Sequence, residues 1–254
     1  MDLARLAEES GLARPSLIVE GLDDGAAWSY AGDRWLYPAS MIKVPLVAAA
    51  LLGVHEGSVD EAAPIEIDPV NLTANDGPSP LVARHVASLD QLMLLAISRS
   101  DNVATNQLFD VVGRERAGRL VRERLGLRDT GFRRKLSGGH PLVQDPAQTG
   151  RNTHPASDAA RLFAAIARGQ FPGAERLRAY LDRQEWNTKL SAGLTNGDVF
   201  AHKTGDTEEV SHDGGILTTA ERKRYVVVAY SASPSSEATD ARFAALMRRL
   251  RRTL

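Results

Sequence analysis

Strand-like segments stand at both ends of this chain, and helical segments fill its middle. The strand-like segments near the start are SLIVEGL (16–22) and the hairpin-like AAWSYAGDRWLY (26–37); those near the end are DVFAHKTGD (198–206), GGILTT (214–219) and RYVVVAYSA (224–232). Strands this far apart can share a core only if they form one sheet on which the intervening helices pack. The order therefore predicts an α+β protein with one antiparallel sheet built from both ends of the chain.

The helical segments are marked by apolar residues at helical spacing and by capping residues. They are MDLARLAEESG (1–11), SMIKVPLVAAALLGV (40–54), SLDQLMLLAIS (88–98), DNVATNQLFDVVG (101–113), RERAGRLVRERLG (114–126), SDAARLFAAIARG (157–169), GAERLRAYLDRQ (173–184) and SSEATDARFAALMRRLRR (235–252). Pro45 falls in the first turns of its helix, where proline is tolerated. Residues 55–88 and 127–154 are rich in turn residues and are expected to be loops.

The net charge and the amino-acid composition restrict the kinds of partner and chemistry that this chain can have. The formal net charge is -1, which gives no general attraction to nucleic acid or an anionic membrane. The absence of cysteine excludes a thiol nucleophile and a disulfide framework. No segment reads as a membrane span or a secretory signal. We therefore expect a monomer that acts on a small molecule without a metal or other cofactor. It would be cytosolic, or exported after removal of a signal.

Lysine is scarce in this sequence, which makes its positions informative. Of 31 basic residues only five are lysines, and Lys43 lies three residues after Ser40. Ser40 and Lys43 would share one face of the helix that begins at Ser40, where the helix dipole favours an alkoxide. A buried lysine can lose its proton and serve as a base, whereas arginine cannot. Taken alone, however, such a pair is more often a helix cap followed by a surface lysine.

Two further short motifs follow in order. Ser100, Asp101 and Asn102 come directly after the buried helix, where a serine or aspartate could simply cap the next helix. The tripeptide 203–205, Lys-Thr-Gly, lies on a predicted strand, where it could be an ordinary turn with an exposed lysine. Three such motifs in this order are far less common by chance than any one of them.

Together, S-x-x-K, S-D-N and K-T-G resemble the signature of the class A β-lactamases and penicillin-binding proteins. The separations from Ser40 to Ser100 and Lys203 are similar to the class A spacing. The resemblance implies the β-lactamase/transpeptidase-like fold, a five-stranded antiparallel sheet flanked by helices plus an all-helical subdomain. We expect one domain over 1–254, with an α/β subdomain at about 1–45 and 190–254 and a helical subdomain at about 46–189. The site would lie between them.

The resemblance also implies a role for each residue. Ser40 would attack the carbonyl and form an acyl-enzyme, with Lys43 as base or proton relay and Ser100 as proton donor to the departing nitrogen. Asn102 would hold the substrate's side-chain amide and orient Lys43. The substrate carboxylate would bind Lys203 and Thr204, and the Lys203 charge would help keep Lys43 neutral. Gly205 would leave room along the strand, and the backbone N–H groups of Ser40 and Asp206 would form the oxyanion hole.

One part of the family pattern is missing. Class A β-lactamases use a loop glutamate to activate the water that cleaves the acyl-enzyme, and no glutamate occurs between Glu123 and Glu175. Counting from Ser40, the glutamate's position falls on Leu136. Among the acids of this stretch, Asp145 is the candidate replacement base, and its alternative role is to cap the turn before Pro146. Asp158 is expected to cap the helix that follows.

These observations favour a serine hydrolase that forms an acyl-enzyme with β-lactams or D-Ala-D-Ala-type amides. It could be a β-lactamase or a DD-carboxypeptidase. A second possibility is a penicillin-binding or sensor module that is acylated without turnover, which the missing glutamate favours. A third is an esterase or amidase for another small substrate, although Lys203 and Thr204 favour a substrate that carries a carboxylate.

Overall fold

The computed structural model describes all residues, 1–254, and its central element is a five-stranded antiparallel sheet in the order β2-β1-β7-β6-β5. The strands are β1 (Ser16–Gly21), β2 (Ala27–Tyr30), β5 (Val199–Asp206), β6 (Ser211–Thr218) and β7 (Arg224–Ser231), with a separate two-stranded sheet formed by β3 (Ile65–Glu66) and β4 (Val86–Ala87). The two ends of the chain meet where β1 pairs with β7. The prediction of one antiparallel sheet built from both ends is confirmed.

Eight α-helices surround this sheet. They are α1 (Leu3–Glu8), α2 (Lys43–His55), α3 (Leu89–Ser98), α4 (Asn102–Val112), α5 (Arg114–Leu125), α6 (Ala156–Ala167), α7 (Ala174–Leu181) and α8 (Glu237–Arg251). Each corresponds to a segment in which the sequence predicts a helix. None is long and apolar enough to cross a membrane.

Both faces of the sheet are covered, which explains why its central strands are apolar on consecutive residues. In β1, Leu17 and Val19 belong to the core shared with α1 and α8, whereas Ile18 belongs to the larger core on the opposite face. Successive side chains of a strand point to opposite faces, so a strand buried on both sides needs apolar residues at every position. The same alternation in β7 places Val227 and Val228 in different cores.

The segment that carries Ser40 differs from its predicted form. The sequence predicts one helix over 40–54, but residues Ala39–Ile42 form a 3-10 turn and the α-helix begins only at Lys43. Pro45 is the reason, because it has no N–H to donate to the carbonyl of Met41, and its ring would collide with that carbonyl in an α-helix. The tighter turn keeps Ser40 and Lys43 on one side of the segment, since residues three apart eclipse in a 3-10 helix.

Other helices and strands begin or end a few residues away from their predicted bounds, because contacts with neighbouring elements determine where they start and stop. Strand β6 begins at Ser211, three residues before the apolar run, because it pairs with β5 and β7 on its two sides. The predicted hairpin over 26–37 contains only the short strand β2. Helix α6 packs against β1, β6 and β7, although it lies in the stretch assigned to a helical subdomain. The division into two subdomains stays a prediction.

Candidate active site

Ser40 and Lys43 lie where the 3-10 turn passes into α2. Ser40 is half-buried and Lys43 is fully buried. Ala39, immediately before Ser40, has a φ of 47°. A non-glycine residue at positive φ is strained and is held there only by its surroundings, a condition that is enriched at functional sites. The turn therefore presents Ser40 at a partly open position directly above a lysine that water does not reach.

The Lys43 amino group is surrounded by three oxygen atoms from the S-D-N segment. Its Nζ donates to the backbone carbonyl of Ser100 and to Asn102 Oδ1 at 2.8 Å, and it lies 3.1 Å from Ser100 Oγ. Nζ forms these three contacts and no direct hydrogen bond with Ser40. A carbonyl and an amide oxygen only accept, so they take two N–H groups of Nζ, and Ser100 Oγ is the third neighbour, a hydroxyl that can accept or donate.

The charge on Lys43 is disfavoured by its position. Burial lowers the pKa of Lys43 well below its usual value, and the nearby positive charge of Lys203 lowers it further, while Asp101 and Asp76 oppose these two effects. A neutral amine with a free lone pair is what a general base requires. Burial, rather than Lys203, is the larger cause, so the predicted influence of Lys203 is present but secondary.

The S-D-N segment is held in one conformation between α3 and α4. Ser100 has a φ of 59°, and Asp101 caps α4 by accepting from the backbone N–H of Ala104 at 2.9 Å. Asp101 and Ser100 are both buried. The capping role considered for this motif is therefore real for Asp101. It leaves Ser100 and Asn102 on either side of the cap, both within reach of Lys43.

The K-T-G segment lies on the edge strand β5 and faces the Ser40 turn. Lys203 is fully buried, and its Nζ donates to the carbonyl of Thr204 at 2.8 Å. Burial lowers the pKa of Lys203 to about 7. At Gly205 a Cβ would lie 3.0 Å from the carbonyl oxygen of Pro38, next to the Ser40 turn. Glycine is therefore needed for the close approach of strand and turn.

Asp206 ends this strand with its side chain already engaged. Its carboxylate forms an ion pair with the buried Lys189 and accepts from Ser211 Oγ at 2.9 Å. Lys189 also donates to the carbonyl of His212 and lies over the ring of Phe243. The Asp206 side chain therefore fixes the end of β5. A role in substrate binding is left to its backbone N–H.

His212 connects strand β6 to the Ser40 segment, a contact that the sequence does not reveal. Its Nδ1 accepts from the backbone N–H of Ser231 at 3.2 Å, so the ring proton must be on Nε2, which donates to the carbonyl of Tyr37 at 2.8 Å. Burial lowers the pKa of His212 to about 4, so the ring stays neutral. This histidine anchors the chain three residues before Ser40 to the sheet.

Leu136, which counting from Ser40 predicts at the position of the family's glutamate, is part of the core. Its side chain is 6% exposed and packs with the apolar residues of the helices. The side chain of Asn106, on α4, accepts from the Leu136 backbone N–H at 2.8 Å and donates to its carbonyl at 2.9 Å. The loop is thus held to α4 at this residue, with an apolar side chain there.

Asp145 and Asp158 both have protein partners. Asp145 forms an ion pair with Arg114 and accepts from the backbone N–H of Lys135 at 2.7 Å. Burial raises the pKa of its carboxyl, but these contacts outweigh burial and lower it. The expectation that Asp158 caps α6 is wrong, because it lies inside the first turn and accepts from Thr130 Oγ1 at 2.7 Å. Neither acid is free in the structure.

A partly buried polar cluster next to Leu136 holds its loop to the rest of the protein, and the sequence alone does not predict this cluster. Lys135 Nζ donates to Asn71 Oδ1 at 2.7 Å and forms an ion pair with Asp110, and Asn71 donates to Gln107 Oε1 at 3.0 Å. The partners are up to 64 residues apart in the chain. The only signal in the sequence is that Lys135 is one of five lysines, four of which are buried.

The chain matches the family described as the Beta-lactamase enzyme family over residues 2–254, and it belongs to that family. It is 28% identical to the β-lactamase regulatory protein BlaB of Streptomyces cacaoi, over 98% of this chain and 95% of that protein.

Solved structures with this fold fall into two groups by name. One is PBP-A, including a leucine-to-glutamate mutant solved as an acyl-enzyme complex with penicillin G (26% identity, TM-score 0.85, covering 98% of this chain and 93% of that one). Another is a β-lactamase from Sphaerobacter thermophilus (25% identity, TM-score 0.84, covering 99% and 95%). The predicted fold and the predicted family are confirmed.

Proposed function

We propose that this protein is a serine hydrolase in which Ser40 is acylated by β-lactams and by peptides that end in D-Ala-D-Ala. The observation that carries the proposal is the buried Lys43 amine, bonded to Ser100 and Asn102 one turn after Ser40. Its lowered pKa favours a neutral amine on the same side of the segment as the Ser40 hydroxyl, which must lose its proton.

Acylation follows from these positions. The Ser40 hydroxyl transfers its proton to the Lys43 amine as Oγ bonds to the carbonyl carbon, and the backbone N–H groups of Ser40 and Asp206 hold the oxyanion. The carbon–nitrogen bond then breaks, and the nitrogen takes up the proton by way of the Ser100 hydroxyl, which lies 3.1 Å from Lys43 Nζ. Lys203 and Thr204 bind the substrate carboxylate during both steps. Asn102, whose Oδ1 holds Lys43, has an amide hydrogen left for the acyl side chain.

Hydrolysis of the acyl-enzyme is the step that this site supports poorly for β-lactams. A water needs a base to attack the ester, and Leu136 supplies an apolar side chain where the family's glutamate would be. Asp145 has its carboxylate paired with Arg114, which favours a structural role for it. We therefore propose that the penicilloyl-enzyme is long-lived, whereas peptide esters are released by a water that Lys43 activates.

The named relatives fit such a protein without deciding among its possible activities. PBP-A and a β-lactamase share the fold of this chain at almost equal sequence identity. The mutant of PBP-A that carries glutamate in place of leucine was trapped as an acyl-enzyme with penicillin G. This is the chemistry proposed for Ser40 here.

A second candidate function is that of a sensor that is acylated and not released. It is favoured by the likeness to BlaB, which is named as a regulatory protein and aligns with nearly the whole chain. The two candidates differ in peptide turnover, because an enzyme releases D-alanine repeatedly and a sensor does not.

The proposal is tested by mass spectrometry of the protein with benzylpenicillin, followed over hours. We expect an adduct of one penicilloyl group at full occupancy, absent in Ser40→Ala and unchanged in the control Ser235→Ala, an exposed serine without a side-chain partner. Release of D-alanine from a diacetyl-lysyl-D-Ala-D-Ala peptide is measured on the same three proteins without penicillin. Labelling of Ser40→Ala at the rate of the unmodified protein would overturn the assignment of the nucleophile.

A further inference from the structure

Asp76 is an exposed acid at the edge of the site, with no hydrogen-bond or ion-pair partner in the structure. It belongs to the rim loop, which we define as residues 73–77. Charged surface residues usually have freedom to turn into solvent, so an unpaired aspartate alone indicates nothing. The position of this one is set by the loop that carries it.

The rim loop is attached to the site at several points. Asn75 Oδ1 accepts from the backbone N–H of Asn102 at 2.5 Å, and the carbonyl of Ala74 accepts from Asn102 Nδ2 at 3.0 Å. Thr73 Oγ1 accepts from the backbone N–H of Gly138 at 3.0 Å. The loop therefore bridges Asn102, which holds Lys43, and the loop that follows Leu136.

The far end of the rim loop lies against an aromatic ring. A Cβ at Gly77 would be 3.9 Å from the Trp186 ring, and the indole N–H of Trp186 donates to the carbonyl of Arg99 at 3.1 Å. These contacts on both sides of Asp76 hold its backbone beside Asn102.

The charge of Asp76 reaches into the site. Burial is the largest effect on the pKa of both Lys43 and Lys203 and lowers each one, and Asp76 is among the negative charges that oppose it. The site therefore has a cation, Lys203, where a substrate carboxylate would bind, and an anion, Asp76, on the rim loop beside Asn102. A ligand with a negative group near Lys203 and a positive group near Asp76 would be attracted at both ends. A ligand with a negative group at each end would be repelled by Asp76.

We propose that Asp76 selects substrates that carry an ammonium group on the acyl side of the bond that is cleaved. The substrate class is then a zwitterion: a carboxylate on the leaving-group side and a free amine on the acyl side, as in a peptide with a diamino acid or in an aminopenicillin. This inference rests on the proposed acylation of Ser40 and adds its substrate preference.

Three penicillins with one nucleus test the inference. Ampicillin carries an ammonium group beside the acyl amide, benzylpenicillin carries no charge there, and carbenicillin carries a carboxylate. Second-order acylation constants are measured for each with the unmodified protein, with Asp76→Asn, and with Glu123→Gln, an exposed unpaired acid of α5, as control. Dividing by the benzylpenicillin value cancels any change that Asp76→Asn makes to the two lysines.

We expect Asp76→Asn to reduce the ampicillin-to-benzylpenicillin ratio by about two- to fivefold, the range measured for exposed ion pairs, and to raise the carbenicillin ratio. Added salt should reduce the ampicillin preference of the unmodified protein, because it screens exposed charges. Ratios that do not change in Asp76→Asn would overturn the inference and leave the proposed function standing. Failure of all three penicillins to acylate would instead overturn the proposed function, and this inference with it.

Discussion

Lys43 and Lys203 are two amino groups that the fold removes from water within one site. Removing a cation from water is costly unless it is paired or gives up its proton. Lys43 has three oxygen neighbours and no carboxylate in contact, and Lys203 donates to a carbonyl. By contrast, the buried Lys135 and Lys189 form ion pairs with carboxylates, those of Asp110 and Asp206. Lys43 and Lys203 are therefore the buried lysines that can lose a proton most easily, because no carboxylate contacts them.

The pH dependence of acylation should show this property. Lys43 must be neutral to act as base, so the rate constant rises with pH through the Lys43 pKa. Lys203 must be protonated to bind the carboxylate, and its pKa is about 7 in the free protein, so binding is lost as pH rises above that value. We expect the second-order acylation constant for benzylpenicillin to decline between about pH 7 and pH 9, measured by stopped-flow or quenched mass spectrometry.

Lys203→Arg is the matched variant that tests whether Lys203 causes the decline in acylation above neutral pH. A guanidinium stays charged over the whole range, so the decline above neutral pH should disappear even if the absolute rate is lower. A flat profile for the unmodified protein would mean that Lys203 keeps its proton, or that its charge is not used. A decline that persists in Lys203→Arg would assign it to another group.

At the scale of elements, the rim loop and the loop after Leu136 approach each other too closely for a side chain. At Gly138 a Cβ would lie 1.9 Å from the carbonyl oxygen of Ala74, whereas at the neighbouring Gly139 nothing lies within 4 Å. Neither glycine has a positive φ, so the two differ in space and not in backbone strain. The pair separates the effect of the contact from the effect of losing a glycine.

We expect Gly138→Ala to lower the free energy of unfolding by about 1–3 kcal/mol, the usual range for overpacking, and to slow acylation because Ala74 also holds Asn102. Gly139→Ala should leave acylation unchanged and stability equal or slightly higher. Thermal unfolding and penicillin labelling of the two variants measure both effects. If the two variants unfold and acylate alike, the rim loop moves to accommodate the new methyl group without loss of stability or activity, and the prediction is wrong.

Sequence patterns predict the helices and strands of this protein better than they predict the contacts between them. Helix α3 was predictable because Ser88 caps an apolar run, and its side chain does accept from the backbone N–H of Gln91 at 3.1 Å. The 3-10 turn at Ser40 was not predicted, although Pro45 carries the signal for it. The contact of His212 with Tyr37 joins residues 175 apart, and no local pattern encodes such a pairing. The motif residues were found because short, ordered motifs tolerate little variation in spacing.

At the scale of the molecule, the site takes its parts from three separate regions. The Ser40 turn leads into α2, the S-D-N segment joins α3 to α4, and the K-T-G segment is the edge strand of the sheet. The Leu136 loop is a fourth region, tied to α4 by Asn106 and to Asn71 and Asp110 by Lys135. In the proposed function, acylation uses the first three regions, and hydrolysis of a penicilloyl ester would need a base from the fourth.

The last prediction concerns that base. We expect Leu136→Glu to accelerate hydrolysis of the penicilloyl-enzyme, because Asn106 fixes the backbone of this residue and a carboxylate there could activate water. Leu136→Gln is the control, since it has nearly the same shape and no charge. The gain is limited by two costs: a buried carboxylate is unfavourable, and a catalytic group must be held within about 0.5 Å of its working position. The rate of adduct loss after removal of free penicillin measures the effect.

Asp145→Asn supplies the opposing test. If Asp145 only pairs with Arg114, the variant should unfold at a lower temperature, because a largely buried guanidinium loses its partner at a cost of about 3 kcal/mol, and adduct loss should not slow. If penicillin instead turns over rapidly and Asp145→Asn stops adduct loss without slowing acylation, the loop supplies its base from Asp145. The protein would then act as a β-lactamase, and the acyl-enzyme would not be long-lived.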